Sequence, residues 1–181
     1  MLLNDSTINR MIESDNSLSI DPLESYQIQP ASVDLRLGHG FRFVDEQYSN
    51  KLPIDSQTEN QPTTYYDKDK VTIGPDDFVL ATTMETINLP SDIYGEVKGR
   101  SSVGRHGIEV HKTAGVIDPG FTGQITLEMT NDSPNPVTLH KGQRVCQIVL
   151  MLMDIPAENP YNGKYQDQDG PTESRLYEDT M

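Results

Sequence analysis

The chain has 181 residues, of which 14 are basic and 28 acidic, giving a formal net charge of -14. That length suits one domain with tails and a real core, and so negative a surface argues against polymeric DNA or RNA and anionic membrane as partners. One cysteine excludes an internal disulfide, and the acidity suits either a halophilic source or an ordinary acidic cytosolic protein.

Asp5-Ser6 ahead of Thr7-Ile8-Asn9-Arg10-Met11-Ile12 predicts an N-capped short helix. The amino terminus has no charged-then-apolar signal pattern. No apolar run approaches the roughly 20 residues of a membrane span, so a cytoplasmic location is expected. Val33-Asp34-Leu35-Arg36-Leu37-Gly38 reads as a period-two strand ending at glycine. Residues 46–70 are polar, with Pro53, Pro62 and few aliphatics, and read as an excursion or flexible loop.

Short β segments follow at 71–73, 78–83, 93–97, 107–110, 123–129, 136–139 and 144–153, with turn signals between them. That spacing predicts an all-β sandwich or barrel. Cys146 lies in the apolar run Val145-Cys146-Gln147-Ile148-Val149-Leu150 and reads as a small buried thiol. Residues 156–181 are rich in Tyr, Gln, Asp and Gly with almost no aliphatics. Such a segment cannot bury itself, and composition alone favours a disordered tail over a lid that orders on a ligand.

Candidate chemistry gathers in residues 99–128. Gly99-Arg100-Ser101-Ser102-Val103-Gly104-Arg105 offers backbone N–H groups, two hydroxyls and two guanidiniums, which suit phosphate oxygens. It lacks the Gly-Lys-Ser/Thr ending of a Walker loop, and a surface turn with solvated arginines is the plain alternative. In Thr113-Ala114-Gly115-Val116-Ile117-Asp118-Pro119-Gly120 the aspartate can accept from a sugar hydroxyl or orient a water, but an Asp-Pro-Gly turn is common. Alternation in Gln124-Ile125-Thr126-Leu127-Glu128-Met129 puts Gln124, Thr126 and Glu128 on one face. Solvent is the default for such a face. An enclosed site would instead make Glu128 a general acid/base.

Other chemistries fail on the residues present. A zinc deaminase needs His or Cys with a Pro-Cys-x-x-Cys element, which one cysteine cannot supply. His106 and His111 lack metal-ligand spacing. No nucleophile-elbow pattern supports a triad of Ser101, His111 and Asp118.

Several of these stretches together resemble the dCTP deaminase family of the trimeric dUTPase-like superfamily. They are Gln29-Pro30-Ala31-Ser32-Val33-Asp34-Leu35-Arg36-Leu37-Gly38, the loop from Gly99 to Arg105, Thr113-Ala114-Gly115 with Ile117-Asp118-Pro119-Gly120, and Ile125-Thr126-Leu127-Glu128. Pro160-Tyr161, Lys164-Tyr165-Gln166 and Gln168-Asp169-Gly170-Pro171 are similar to that family's closing segment. The motifs follow the family order along nearly the whole chain.

The resemblance implies a distorted, jelly-roll-like β-barrel with a short N-terminal helix, covering residues 1–155. Residues 156–181 would be a lid over the nucleotide, and the protein a homotrimer with sites at subunit interfaces. By the same resemblance, Glu128 would be the general base that activates water for attack on C4 of cytosine. Ser101, Arg105 and the Ala114 backbone would position that water and the glutamate. The loop Arg100, Ser101, Ser102, Val103, Gly104 and Arg105 would bind the triphosphate, and Asp118 the deoxyribose 3′-hydroxyl. Thr126 and Leu127 would read the base through their backbone, while Gln147, Tyr161, Lys164 and Gln168 would close over the nucleotide. Mg²⁺ would arrive on the triphosphate, with no zinc and no metal held by protein side chains, and dTTP would be an inhibitor.

The reaction the resemblance implies first is dCTP to dUTP and ammonia. Bifunctional members, which go on to dUMP and diphosphate, carry glycine and then a large aromatic after Thr-Ala. This chain has Gly115 and then Val116, half of that signature. A dUTP diphosphatase without deamination and a non-catalytic nucleotide-sensing barrel are the second and third readings.

Overall fold

The computed structural model describes residues 1–15, 17–44, 57, 63–113 and 115–179. Helix α1 (Asp5–Glu13) is capped by Asn4, whose side-chain oxygen accepts from the Thr7 amide at 3.0 Å. The cap therefore precedes the expected Asp5-Ser6: Asn4 keeps the extended backbone a cap needs, and Asp5 is already helical. Ile8 and Met11, one turn apart, are the face that α1 buries.

Among the described residues, every other element of more than four residues is strand. β1 (Ser19–Asp21), β2 (Ile28–Gln29) and the long β3 (Ser32–Val44) are followed by β4 (Thr63–Asp67), β5 (Lys70–Ile73) and β6 (Phe78–Asn88). β7 (Ile93–Gly99) leads into a single helical turn, α2 (Ser101–Gly104). Then come β8 (Ile108–Glu109), β9 (Val116–Ile117), β10 (Thr122–Asn131), β11 (Val137–His140) and β12 (Arg144–Leu152). The order β8-β10-β6-β3-β12-β7-β9 forms one curled antiparallel sheet, with β1 beside β6, β2 and β4 beside β3, and a separate β11-β5 pair. This is the expected mostly-β, distorted barrel with one short helix.

β3 does not end at Gly38. Residues 33–36 pair with β12 and residues 37–43 with β6, the latter pairing broken in register between Leu37 and Phe41. A Cβ at position 38 would lie 2.8 Å from Thr82 Cγ2, so the glycine marks a close approach of β6 rather than a stop. From the polar stretch 46–70, the described part includes strand β4, laid along the far end of β3. Tyr65 and Tyr66 give that polar segment the strand propensity that its overall composition hid. Residues 45–56 and 58–62, the rest of the expected excursion, lie outside the described residues.

The core joins Val33, Leu35, Leu37, Ile87, Leu127, Met129, Ile148 and Leu150, all fully buried. Glu85, also fully buried, accepts from Arg36 N at 2.9 Å, Arg36 Nε at 2.7 Å and Gln27 Nε2 at 2.9 Å, so its charge is met on every side. Beside it the β10–β6 ladder skips a step between Gln124 and Thr126, and Thr83 Oγ1 fills the gap by accepting from Ile125 N at 2.9 Å. Among the described residues no helix is long and apolar enough to cross a membrane.

Cys146 is fully buried, as its apolar run predicts. Burial, with the nearby charges of Glu85 and Asp34, pushes its thiol far above the usual range. The thiolate is thus absent from the folded protein at neutral and mildly alkaline pH. Iodoacetamide at pH 8 is expected to leave native Cys146 unmodified and to label it fully in denaturant, as read by mass spectrometry.

Candidate active site

From Gly123 to Met129 along β10 the half-buried residues are Gln124, Thr126 and Glu128, and the buried ones Gly123, Ile125, Leu127 and Met129. The expected alternation holds, but the half-buried face does not simply meet solvent. The carboxy-terminal segment lies along it. Gln124 N donates to Gln168 O at 3.0 Å, Gln168 Nε2 donates to Gln124 O at 2.6 Å, and Gly170 N donates to Gln124 Oε1 at 2.7 Å. Two residues on, Thr172 N donates to Thr126 Oγ1 at 3.1 Å. Gly123 is required here: its φ is +142°, and a Cβ would meet Gln168 N at 2.9 Å.

Glu128, next on that face, is left open. It borders a cavity of about 480 Å³ with Val116, Asp118, Phe121, Thr126, Tyr161 and Gln168, and the wall is completed by Thr172 and Glu173. Thr113 Oγ1 donates to Glu128 Oε2 at 3.0 Å. One carboxylate oxygen is thereby fixed, and the other has no donor among the described residues. Tyr161 packs against Phe121 with ring centroids 6.0 Å apart, and its amide donates to Pro119 O at 2.8 Å, seating the segment beside Asp118.

The arginine-bracketed loop is elsewhere. Its serines begin helix α2, which the sequence did not suggest, and both are exposed. Val103 is buried in the core, so it has only backbone to offer a ligand. Arg100, Ser101 and Gly104 border a different hollow, and among the described residues His111 alone lines both that hollow and the Glu128 cavity. Arg105 is exposed and faces a third surface, with His106 and Asp132.

What holds the loop is Asp34. Its side chain, only 4% exposed, accepts from Arg144 Nη1 at 3.0 Å and faces Arg100 Nε at 3.2 Å. Arg100 Nη1 also donates to Arg144 O at 3.1 Å. Gln147 sits on this side too: Ser32 Oγ donates to its Oε1 at 2.8 Å, and its Nε2 donates to Gly99 O at 3.3 Å. It thus braces the start of the loop and is not among the residues that close the Glu128 cavity.

Of the other expected site residues, Leu127 is fully buried, which leaves only its backbone to read a base. Lys164 faces away from the cavity, its ammonium 2.6 Å from Asp179 and donating to Arg175 O at 3.0 Å. The hydrogen bond to Asp179 raises its pKa. Gly115 lies against β7, where a Cβ would meet Val97 O at 2.9 Å, while half-exposed Val116 lines the cavity. Ala114 lies outside the described residues. Sequence reasoning assigned no role to Thr113, Asp34 or Arg144. A donor to a carboxylate 15 residues away, or a buried aspartate shared by two arginines, has no local signature.

Comparison with known proteins places these motifs. The profile described as dCTP deaminase-like matches residues 2–153. A protein of Persephonella marina named "dCTP deaminase, dUMP-forming" is 46% identical over 180 residues, covering 99% of each chain. One of Halorubrum lacusprofundi named "dCTP deaminase" is 43% identical over 192 residues, covering 99% of this chain and 93% of that one. In structure, the chain resembles the 2'-deoxycytidine 5'-triphosphate deaminase of Agrobacterium tumefaciens with a TM-score of 0.65 at 23% identity, over 83% of this chain and 47% of that chain, a likeness of fold.

Removing the Asp34 carboxylate leaves two part-buried guanidiniums facing each other without their shared counter-charge. Asp34→Ala is expected to lower the unfolding free energy by about 2–3 kcal/mol, less than for a fully buried pair because both arginines keep some solvent. The check is a urea titration, in which an unchanged midpoint would contradict the account.

Proposed function

This chain belongs to the dCTP deaminase-like family, and from that membership we propose that it deaminates dCTP at C4 and carries the product on to dUMP and diphosphate. The observation that carries the reading is the cavity in which Glu128, fixed by Thr113, and Asp118 stand together under the carboxy-terminal segment.

In the first step the free oxygen of Glu128 takes a proton from water as that water adds to C4 of cytosine. Glu128 passes that proton to N3 and then carries the remaining proton of the new C4 hydroxyl to the departing amino group, so dCTP and water give dUTP and ammonia. Thr126 and Leu127 meet the base through their backbone at a stretch of β10 whose outer edge carries no paired strand between Gly123 and Thr130 among the described residues. Asp118 accepts from the 3′-hydroxyl. In the second step a further water, oriented by Asp118, attacks the α-phosphorus. The bond to the bridging oxygen breaks and diphosphate leaves.

Continuation to dUMP, rather than release of dUTP, is supported by the name of the Persephonella relative and by Gly115. Without a side chain, residue 115 lies flat against the Val97 carbonyl, and Val116 is the group presented to the cavity. The Halorubrum relative carries the plainer name, which makes dUTP release the competing outcome.

Ser101, Ser102, Arg100 and Arg105 bind phosphates and position the first water. They stand outside the cavity of their own chain, so the reading needs a second copy to supply them, which a homotrimer provides. The described residues hold no cluster of three or more His, Cys, Asp or Glu suited to a metal. Magnesium in this reading travels on the triphosphate and eases its charge.

Chromatography of products from dCTP and, separately, from dUTP decides. Ammonia, dUMP and diphosphate in equal amounts are expected. Accumulating dUTP would limit the activity to deamination, and action on dUTP alone would reduce it to a diphosphatase. In Glu128→Gln ammonia release is expected to fall by about a hundredfold or more, and retained release would remove Glu128 from its role.

A further inference from the structure

We propose that Gly40 and Arg42 of β3 form the seat that holds the closing segment, which makes Arg42 a positioning residue for the cavity that Glu128 faces. Arg42 Nε donates to Pro171 O at 2.9 Å and Nη1 donates to the Glu173 carboxylate at 3.0 Å. Nη1 also reaches Thr63 Oγ1 on β4 at 3.3 Å, and the guanidinium lies 5.7 Å from the centre of the Tyr65 ring. The Thr63 hydroxyl is itself hydrogen-bonded to Glu173. One arginine thus grips a carbonyl and a carboxylate on either side of Thr172, a match that its planar fork makes and an ammonium does not.

Gly40 supplies the space. A Cβ there would lie 2.6 Å from Pro171 Cδ and 3.2 Å from Tyr65, so the proline ring occupies the notch that glycine leaves. The three seated residues matter to the site. Thr172 donates its amide to Thr126, two residues from Glu128, and Thr172 and Glu173 form part of the cavity wall.

The composition of the segment makes polar anchors decisive. Residues 156–181 have too few aliphatic side chains to be held by burial, so their position depends on hydrogen bonds and charge. Without Arg42, Glu173 would also stand as an uncompensated carboxylate on the wall of a cavity that, in the function proposed above, must admit a triphosphate. The kinetic arm of the test rests on that function, and the exchange arm does not.

Arg42→Ala and Gly40→Ala perturb the seat in two independent ways, one by removing the fork and one by filling the notch. Hydrogen–deuterium exchange of peptides spanning Gly170 and Thr172 is expected to quicken by about tenfold or more in both variants, while peptides from β6 and β10 keep their rates. With dCTP, KM is expected to rise about fivefold or more, with kcat changed by less than about threefold. Arg42→Lys should restore only part of the protection.

Unchanged exchange of the 170–172 amides in both variants, or loosening in only one of two folded variants, would overturn the seat. Faster exchange with an unchanged KM would overturn the positioning role. If Arg42→Ala does not fold, Gly40→Ala decides alone. If the wild type does not act on dCTP, the functional reading fails while the exchange result still judges the seat.

Discussion

Two carboxylates inside a β-sheet need cations, and the cations that Asp34 and Glu85 recruit tie the halves of this fold together. Glu85 on β6 is met by Arg36 and Gln27, joining β6 to β3 and to the turn before it. Asp34, two residues before Arg36, takes Arg144 at the start of β12 and Arg100 at the end of β7. Alternation along β3 turns the side chains of Asp34 and Arg36 to the same face, so one strand serves both clusters. Breaking either cluster would strand a charge where water is scarce, which costs more than a surface pair is worth. The loop that follows Arg100 is consequently held by the fold itself before any ligand arrives.

A second constraint comes from the carboxy-terminal segment, which has no core of its own and must borrow polar partners. Gln124 and Thr126 serve as those partners on β10, and Glu128 continues the same face beyond the point where the segment leaves it. The cavity is the space between strand and segment. Its chemistry follows from this arrangement, since Glu128 is the member of the half-buried row that the segment leaves uncovered and that Thr113 orients.

Local patterns were legible in the sequence and long-range partners were not. The period-two run at 124–129 identified the face that carries Glu128, because side-chain alternation is fixed by the backbone. What covers that face comes from about 40 residues further on, and composition alone read that segment as a disordered tail. Resemblance to a family read it as a lid, and in the structure Gln168, Gly170 and Thr172 hydrogen-bond to β10. Gly38 misled for a physical reason: glycine serves close approach as well as strand ends, and period alone cannot separate the two. Gln147 and Lys164 show the same limit from the other side. The resemblance assigns both to closing over the nucleotide, yet within this chain one braces the loop after β7 and the other is held by Asp179.

The central claim is that the Glu128 cavity and the Ser101–Arg105 surface, separate hollows of one chain that share only His111 among the described lining residues, become one site only between copies. Co-assembly of two inactive variants, Glu128→Gln and Arg105→Ala, tests it directly. A randomly reassorted equal mixture of the two is predicted to release ammonia from dCTP at about a quarter of the wild-type rate per subunit, the share of all interfaces in a trimer population that pair two intact halves. Hybrids as inactive as their parents, under conditions where exchange of subunits is demonstrated, would contradict the account.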